Sequence, residues 1–270
     1  MSVLRRPFNL TALVLALAVA LAASGCIQSR SRTSSRTVST PDGPASQEAQ
    51  AQINLGAGLL MQGEHTQALA ALLRAKELAP KNADVENYLG LAYFGQQEYA
   101  LALESYKNAL QINPARTDVH NNLGLVYLAR KEYEAALTEF NFCLTDLVYT
   151  NKHLALTNIG LTHMEMGSYD KAMPALTRAV EISPNYPDAY KHMGRIYMSR
   201  NNNDLALDYL GNAAKLNPND AETFIILGEL FTRIGRPEEA AQSYSRCAAL
   251  VPNTPLALEA QRRARQVMGF

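Results

Sequence analysis

The sequence predicts an all-α protein built from six successive copies of one helical hairpin. The first observation is a glycine that follows a large apolar residue and recurs every 34 residues, with a single step of 36. The second is an alanine twelve residues beyond each glycine, and the third is a proline twenty-four residues beyond it in five of the six copies. The recurring glycines are Gly56, Gly90, Gly124, Gly160, Gly194 and Gly228.

The residue types at the repeated positions suit two antiparallel helices that pack closely. Glycine and alanine leave room where the two helices touch, and proline ends the second helix because it lacks a backbone N–H. A single hairpin would leave its apolar face in water, so we expect the hairpins to stack around one continuous core. Sixteen residues beyond each glycine, a large apolar side chain is expected to fill the space between neighbouring hairpins. These side chains are Leu72, Tyr106, Phe140, Leu176, Leu210 and Tyr244.

This period and these residue types resemble the tetratricopeptide repeat. The resemblance implies an all-α, right-handed superhelical solenoid of six tetratricopeptide hairpins with a C-terminal capping helix. The hairpins are predicted to occupy residues 48–254. Their approximate bounds are 49–82, 83–116, 117–152, 153–186, 187–220 and 221–254.

Residues 255–270 are predicted to form the capping helix, which the last hairpin needs in order to present a polar surface. One side of this helix would be apolar and would pack on the sixth hairpin, whereas the other would face solvent. The predicted apolar side consists of Leu256, Leu258 and Val267, and the predicted solvent side of Arg262, Arg263 and Arg265.

The one step of 36 residues separates Gly124 from Gly160, in the stretch CLTDLVYTNKHLALTNIG. Here Val148 stands where the other units have the proline that ends the second helix. We therefore expect a longer or reoriented connection between the third and fourth units, with a change of superhelical curvature at that joint.

Residues 1–25 have the layout of a secretory signal peptide. Arg5 and Arg6 precede the uncharged apolar run Leu10–Ala22, which is shorter than the roughly 20 residues of a membrane-spanning helix. A transmembrane anchor is therefore the less favoured alternative. The small residues directly before Cys26 resemble the lipobox of bacterial lipoproteins, which implies that the Cys26 thiol is acylated, with palmitate as a lipid substituent.

Residues 26–47 are predicted to be a flexible tether that carries the lipidated cysteine. Their Ser, Thr, Arg, Pro and Gly residues cannot bury enough apolar surface to offset the entropy lost on ordering. Ile27 follows the cysteine in place of aspartate, and by resemblance to the sorting rule of Gram-negative lipoproteins this implies the outer membrane. The repeats would then be attached to the membrane through lipid alone and face the periplasm.

Composition and motifs argue against nucleic-acid binding and against catalysis. Lys plus Arg number 25 and Asp plus Glu 25, so no basic excess exists to neutralise phosphates. The sequence has no zinc-binding spacing of His and Cys, no Walker-type loop and no G-x-S-x-G motif. Cys143 and Cys247 share a small-residue repeat position and are expected in the core, and His163 is expected to be structural. We expect a monomeric binding protein that is not an enzyme and has no cofactor or metal besides the lipid on Cys26.

In this repeat architecture the first helix of each hairpin lines the concave surface. Its inward positions are apolar in the first four units, with interspersed Asn and Thr, and charged in the last two, at Lys191, Arg195, Glu229 and Arg233. The apolar strip suits an amphipathic helix or an extended peptide, and packing between neighbouring helices is the alternative role of these side chains. The predicted partner-binding groove consists of Ile53, Ala57, Leu60, Met61, Asn87, Leu91, Phe94, Asn121, Leu125, Leu128, Thr157, Leu161 and Met164.

The passage NNLGLVYLARKEYEAALTEF, followed by DLVYTNKHLALTNIGL, is similar to the pilot lipoproteins of type IV pili, the PilF, PilW and Tgl family. Asp146, Leu147, Tyr149 and the two added residues carry this similarity, together with the lipobox, the tether and the six units. The resemblance implies an outer-membrane lipoprotein that binds the pilus secretin and promotes its targeting, assembly and stability. Pilus biogenesis and twitching or social motility would depend on it. A tetratricopeptide scaffold for another periplasmic envelope machine is the alternative.

Overall fold

The computed structural model describes residues 44–269, and every regular element within that range is an α-helix. The all-α prediction is confirmed. The expected signal peptide and Cys26 lie outside the described residues. The thirteen helices of the described range are α1 (Pro44–Met61), α2 (His65–Leu78), α3 (Ala83–Gly95), α4 (Tyr99–Ile112), α5 (Thr117–Ala129), α6 (Tyr133–Thr145), α7 (Lys152–Glu165), α8 (Tyr169–Ile182), α9 (Pro187–Ser199), α10 (Asn203–Leu216), α11 (Ala221–Arg233), α12 (Pro237–Leu250) and α13 (Pro255–Val267).

The first twelve helices pair in order into six hairpins, here called repeats 1 to 6, each with a helix A and a helix B. The final helix, α13, packs on α12. The predicted six hairpins with a terminal helix are therefore confirmed. The chain divides into an N-terminal unit that ends at Asn151 and holds repeats 1 to 3, and a C-terminal unit that starts at Lys152.

Within each unit, helix A of a later repeat packs on both helices of the preceding one. In the N-terminal unit α3 contacts α2 and α1, and α5 contacts α4 and α3. In the C-terminal unit α9 contacts α8 and α7, and α11 contacts α10 and α9. Each added hairpin thus covers an apolar face of its neighbour, as expected for stacked repeats.

The recurring glycines let the two helices of a hairpin approach each other. A Cβ atom built on Gly90 would lie 2.4 Å from the ring of Tyr106, and one on Gly124 would lie 2.5 Å from the ring of Phe140. The large side chain sixteen residues beyond the glycine therefore lies directly on the glycine of its own hairpin. The missing Cβ opens the space that the ring fills, and the expected contact with the neighbouring hairpin stays a prediction.

All six turns between helix A and helix B contain one residue with a positive φ angle. Glycine holds this position in repeats 1, 4 and 6, at Gly63, Gly167 and Gly235. In repeats 2, 3 and 5 the position is held by Gln97, Lys131 and Asn201, with φ angles of 64°, 62° and 57°. This residue adopts the left-handed backbone conformation that commonly ends a helix, and it reverses the chain after helix A.

The connection between the third and fourth repeats is longer than the others. Six residues, 146–151, separate α6 from α7, whereas four residues follow each of the other B helices. The Asp146 carboxylate orders this connector, because it accepts hydrogen bonds from the Val148 backbone N–H at 3.0 Å and from the Thr117 hydroxyl at 2.6 Å. The two extra residues thus lie in the connector, as the sequence predicts. The predicted change of curvature stays a prediction.

Both ends of the repeat region differ in detail from expectation. Helix α1 begins at Pro44, inside the segment 26–47 that is predicted to be a tether, and a proline is well tolerated in the first turn of a helix. In α13, Leu258 is 65% exposed, so its place on the apolar side of the cap was wrong. Arg263 does not face solvent freely, because its guanidinium binds Glu259 and Glu229.

Candidate protein-binding surfaces

Most of the predicted groove residues are buried in the structure. Eleven of the thirteen are buried, while Ala57 is half-buried and Met61 is 59% exposed. The A helices of neighbouring repeats pack on one another within each unit, and this contact leaves little of their inward side chains accessible. The thirteen residues therefore do not form the open apolar strip that the sequence suggested, and their role in binding stays a prediction.

The polar residues of the predicted groove are engaged within the protein. The Asn122 amide donates a hydrogen bond to the Asn87 oxygen at 3.0 Å, and the Asn87 amide reaches Asp118 at 3.5 Å. Arg116 binds the same Asp118 carboxylate at 2.7 Å. The Thr157 hydroxyl donates to a carbonyl oxygen of its own helix at 2.9 Å. The Asn87 and Thr157 hydrogen bonds thus join or stabilise helices and do not point to a bound peptide.

Lys191, predicted as a charged inner position, lies in a buried ionic cluster. Its ammonium group contacts Asp188 at 2.8 Å, Glu222 at 2.9 Å and Asp220 at 3.0 Å, and its side chain is 1% exposed. Burial alone would lower the pKa of Lys191, but the three carboxylates outweigh it and raise that pKa. Lys191 is therefore charged, and it joins the A helices of repeats 5 and 6. The three-residue spacing of Asp188 and Lys191 is the only sequence signal of this cluster.

The neighbouring charged positions also bond within the C-terminal unit. Arg233 donates to the carbonyl oxygen of Met198 at 2.6 Å, and Glu229 pairs with Arg263. His192 is buried, and burial, with Arg195 and Lys191 nearby, lowers its pKa well below the ordinary value. The charged inner positions that the sequence predicts in repeats 5 and 6 thus largely form ion pairs and hydrogen bonds within the protein.

The two cysteines are core residues, as predicted. Burial raises the pKa of the Cys143 thiol to about 12 and that of Cys247 to about 11, so both are neutral thiols near pH 7. The described part of the chain has no group of three or more His, Cys, Asp or Glu side chains that could hold a metal ion. None of its helices is both long and apolar enough to span a membrane.

The most exposed large apolar side chains of residues 47–269 lie in the long connector. Leu147 is 90% exposed and Val148 is 80% exposed. The Asp146 hydrogen bonds hold these two residues in a defined turn. A preorganised apolar pair loses little conformational entropy when it is buried by a partner. Sequence reasoning singled out this segment for its length and its resemblance, but not for its exposure.

Comparison with known families defines the class of protein. Models of the tetratricopeptide repeat match residues 90–130, 163–210 and 192–255. The six hairpins agree with these matches, and the described chain has the fold of tetratricopeptide-repeat hairpins. No curated protein matches it.

Solved structures with the same fold include two pilus-related proteins. PilF of Pseudomonas aeruginosa is 24% identical with a TM-score of 0.64, over 82% of this chain and 99% of PilF. PilW, a type IV pilus biogenesis factor, is 21% identical with a TM-score of 0.67, over 79% of this chain and 98% of PilW. A tetratricopeptide-repeat protein from Parabacteroides merdae is 20% identical with a TM-score of 0.70, over 83% of this chain and 86% of its own. These likenesses show the fold.

Proposed function

We propose that the protein is an outer-membrane lipoprotein that binds the secretin of a type IV pilus machine. Its repeats face the periplasm, its lipid on Cys26 is its membrane anchor, and it acts as a monomer without catalysis. By holding a secretin subunit it promotes targeting, ring assembly and stability of the secretin. Pilus formation and pilus-driven motility follow from that assembly.

The observation that carries this proposal is the exposed apolar pair Leu147 and Val148. It lies in the segment whose residues resemble the pilot lipoproteins, and Asp146 holds it in a fixed turn. Burial of an aliphatic side chain of this size stabilises a complex by about 1.5–3 kcal/mol. An exposed pair of this kind has no use in packing, but it suits a shallow apolar pocket on a partner.

Two further facts support the proposal. PilW, described as a pilus biogenesis factor, shares the fold over nearly its whole length. The leader has the layout of a lipoprotein signal peptide, with Cys26 after three small residues.

The connector is tested by replacing both Leu147→Asp and Val148→Asp in the full chain. Since both side chains are exposed, the helical content and melting temperature should stay close to wild type. In cells, we expect loss of heat-stable secretin multimers and of surface pili. The matched control is Leu258→Asp, which alters an exposed leucine on α13. Normal secretin multimers in the double variant would show that the connector does not bind the secretin.

The anchor is tested separately with labelled palmitate. We expect label on the wild-type protein and none on Cys26→Ser, which should also leave the membrane fraction. Label that persists on Cys26→Ser, or membrane attachment without label, would contradict lipid anchoring at this residue.

A scaffold for another envelope machine is the second candidate function. It is favoured by the exposed pair Leu147 and Val148, because an apolar pocket on another envelope protein would bury the same two side chains equally well. Deletion of the gene separates the two candidates. Loss of secretin multimers and pili supports the first, whereas a permeability defect with normal pili supports the second.

A further inference from the structure

Helix α1 exposes a face that is buried in α3, α5, α9 and α11. Each of these four A helices follows a hairpin of its own unit. In α3, the three residues of this face are Val85, Leu89 and Ala92, which are 1%, 1% and 0% exposed. Their helix, α3, packs on α1 and α2, the hairpin before it. The matching residues of α5, α9 and α11 are also buried, and each of these helices packs on the hairpin before it. This face is therefore where one repeat receives its neighbour.

In α1 the matching residues are Ala51, Leu55 and Gly58, of which the first two are exposed and Gly58 is half-buried. Leu55 is 52% exposed, and a Cβ atom built on Gly58 would meet nothing within 4 Å. Ala51 is also exposed. We call these three residues the α1 face. It continues the interface that joins repeats 1 and 2, but at the end of the unit where the described chain has no preceding hairpin.

Helix α1 is also longer than the other A helices. It has 18 residues, whereas the A helices of repeats 2 to 6 have 13 or 14. The extra residues precede the repeat pattern and lengthen the helix by about one turn. At its outer end Glu48 pairs with Arg74 at 3.3 Å, which places polar groups at the edge of the apolar centre. An apolar centre with a polar edge is the usual anatomy of a protein interface.

We propose that the α1 face binds an amphipathic α-helix of a partner protein, which occupies the place of a preceding repeat. At the interface between repeats 1 and 2, helix α3 packs with the equivalent face on helices α1 and α2, so a helix is the occupant that fits the α1 face. Ala51 and Gly58 allow the backbone of an incoming helix to come close on either side of Leu55. The ligand would bring the larger apolar side chains, which these two positions lack.

Two other occupants fit less well. A second copy would offer another α1 face with a single large apolar side chain, too little for the roughly 1,000 Å² that a stable interface buries. Residues 28–43 of the same chain precede α1 directly, but they are rich in Ser, Thr and Arg and have almost no large apolar side chain. A partner helix supplies the chemistry that both of these lack.

This inference goes beyond the proposed function, because it does not require the partner to be a secretin. The α1 face belongs to repeat 1, whereas the exposed pair of the connector follows repeat 3. A variant of the α1 face can therefore lose its partner helix while secretin binding by the connector is retained, and the reverse.

The experiment begins with a photo-crosslinking amino acid at position 51 of the full chain in cells. We expect it to capture one segment of a partner, identified by mass spectrometry and then made as a synthetic peptide. That peptide should bind the purified full chain and gain helical circular dichroism on binding. A crosslink to a second copy, to residues 1–43 or to lipid would overturn the proposal, as would the absence of a crosslink or a bound peptide without helix.

Variants then locate the peptide on the α1 face. Leu55→Arg and Gly58→Glu should each weaken binding of the peptide at least ten-fold. Both should fold, because Leu55 is already half exposed and glutamate suits a helix better than glycine. The control Leu258→Arg should bind like wild type, and so should the Leu147→Asp, Val148→Asp double variant. Unchanged binding by Leu55→Arg, with its melting temperature preserved, would refute the α1 face.

Discussion

At the residue scale, the same amino acid has opposite roles in different places. Gly124 makes room for the fully buried ring of Phe140, whereas Gly211 in α10 has no atom within 4 Å of an added Cβ. The glycine spacing in the sequence identifies the first kind. It gives no information on the second, because the repeat pattern does not include position 211.

These two glycines give the first prediction. Gly124→Ala should destabilise the fold by about 1–3 kcal/mol, because a packed ring must move. Gly211→Ala should stabilise it by about 0.5–1 kcal/mol, because alanine is the better residue in a helix interior. Urea unfolding measures both. Changes of the same sign in the two variants would contradict the packing described for the hairpins.

The second prediction concerns the turn residues with positive φ. Lys131 adopts φ 62°, a conformation that costs an L-residue about 1–2 kcal/mol, and it is exposed. Lys131→Gly should therefore raise the stability by about 0.5–1 kcal/mol after the entropy cost of glycine is subtracted. Gly235→Ala, at the same turn position of repeat 6, is the opposite control and should lower the melting temperature. A loss of stability in Lys131→Gly would show that its side chain makes an important contact.

At the scale of helices, a single lysine joins the A helices of repeats 5 and 6. Lys191→Met would leave Asp188, Asp220 and Glu222 buried without their cation. Breaking a buried pair in this way typically costs about 3–5 kcal/mol. We expect faster hydrogen exchange of backbone amides in α9 and α11. The control Lys215→Met changes an exposed lysine of α10, and equal effects of the two substitutions would contradict the importance of the cluster.

The fourth prediction is a pH dependence in the same region. Burial holds the pKa of His192 well below 6.5 in the folded state, so below pH 6.5 the unfolded state binds the proton more readily. The stability contributed by neutral His192 is complete above pH 6.5 and falls as the pH drops toward the folded pKa. The decline approaches about 1.4 kcal/mol per pH unit for one proton. Urea unfolding from pH 7.5 to 5.5 should therefore show a steeper loss for wild type than for His192→Asn, and equal slopes would contradict this.

The sequence predicts the elements far better than it predicts their exposure. Spacing along the chain identifies the six hairpins and the long connector, because helix periodicity and proline positions are local properties. Burial depends on what packs against a side chain. Leu91 was expected in an open groove but is 4% exposed, and Leu55 has the same repeat position as the buried Leu89 but is 52% exposed. Only the arrangement of neighbouring helices distinguishes these cases.

At the scale of the whole molecule, the described chain consists of helical hairpins, and the proposed function depends on their free surfaces. Its internal polar groups are largely occupied by one another, as in the clusters around Lys191 and Asp118. Two apolar surfaces of the N-terminal unit are not covered in this way, the pair Leu147 and Val148 and the α1 face. Partner recognition is therefore expected in the first three repeats and their connector.

The most direct test of the central claim is calorimetric titration of the purified full chain with the periplasmic part of the pilus secretin from the same organism. We predict saturable binding by wild type and by Leu258→Asp, and binding at least ten-fold weaker for the Leu147→Asp, Val148→Asp double variant. No binding by a well-folded wild-type protein would contradict the claim that it holds a secretin.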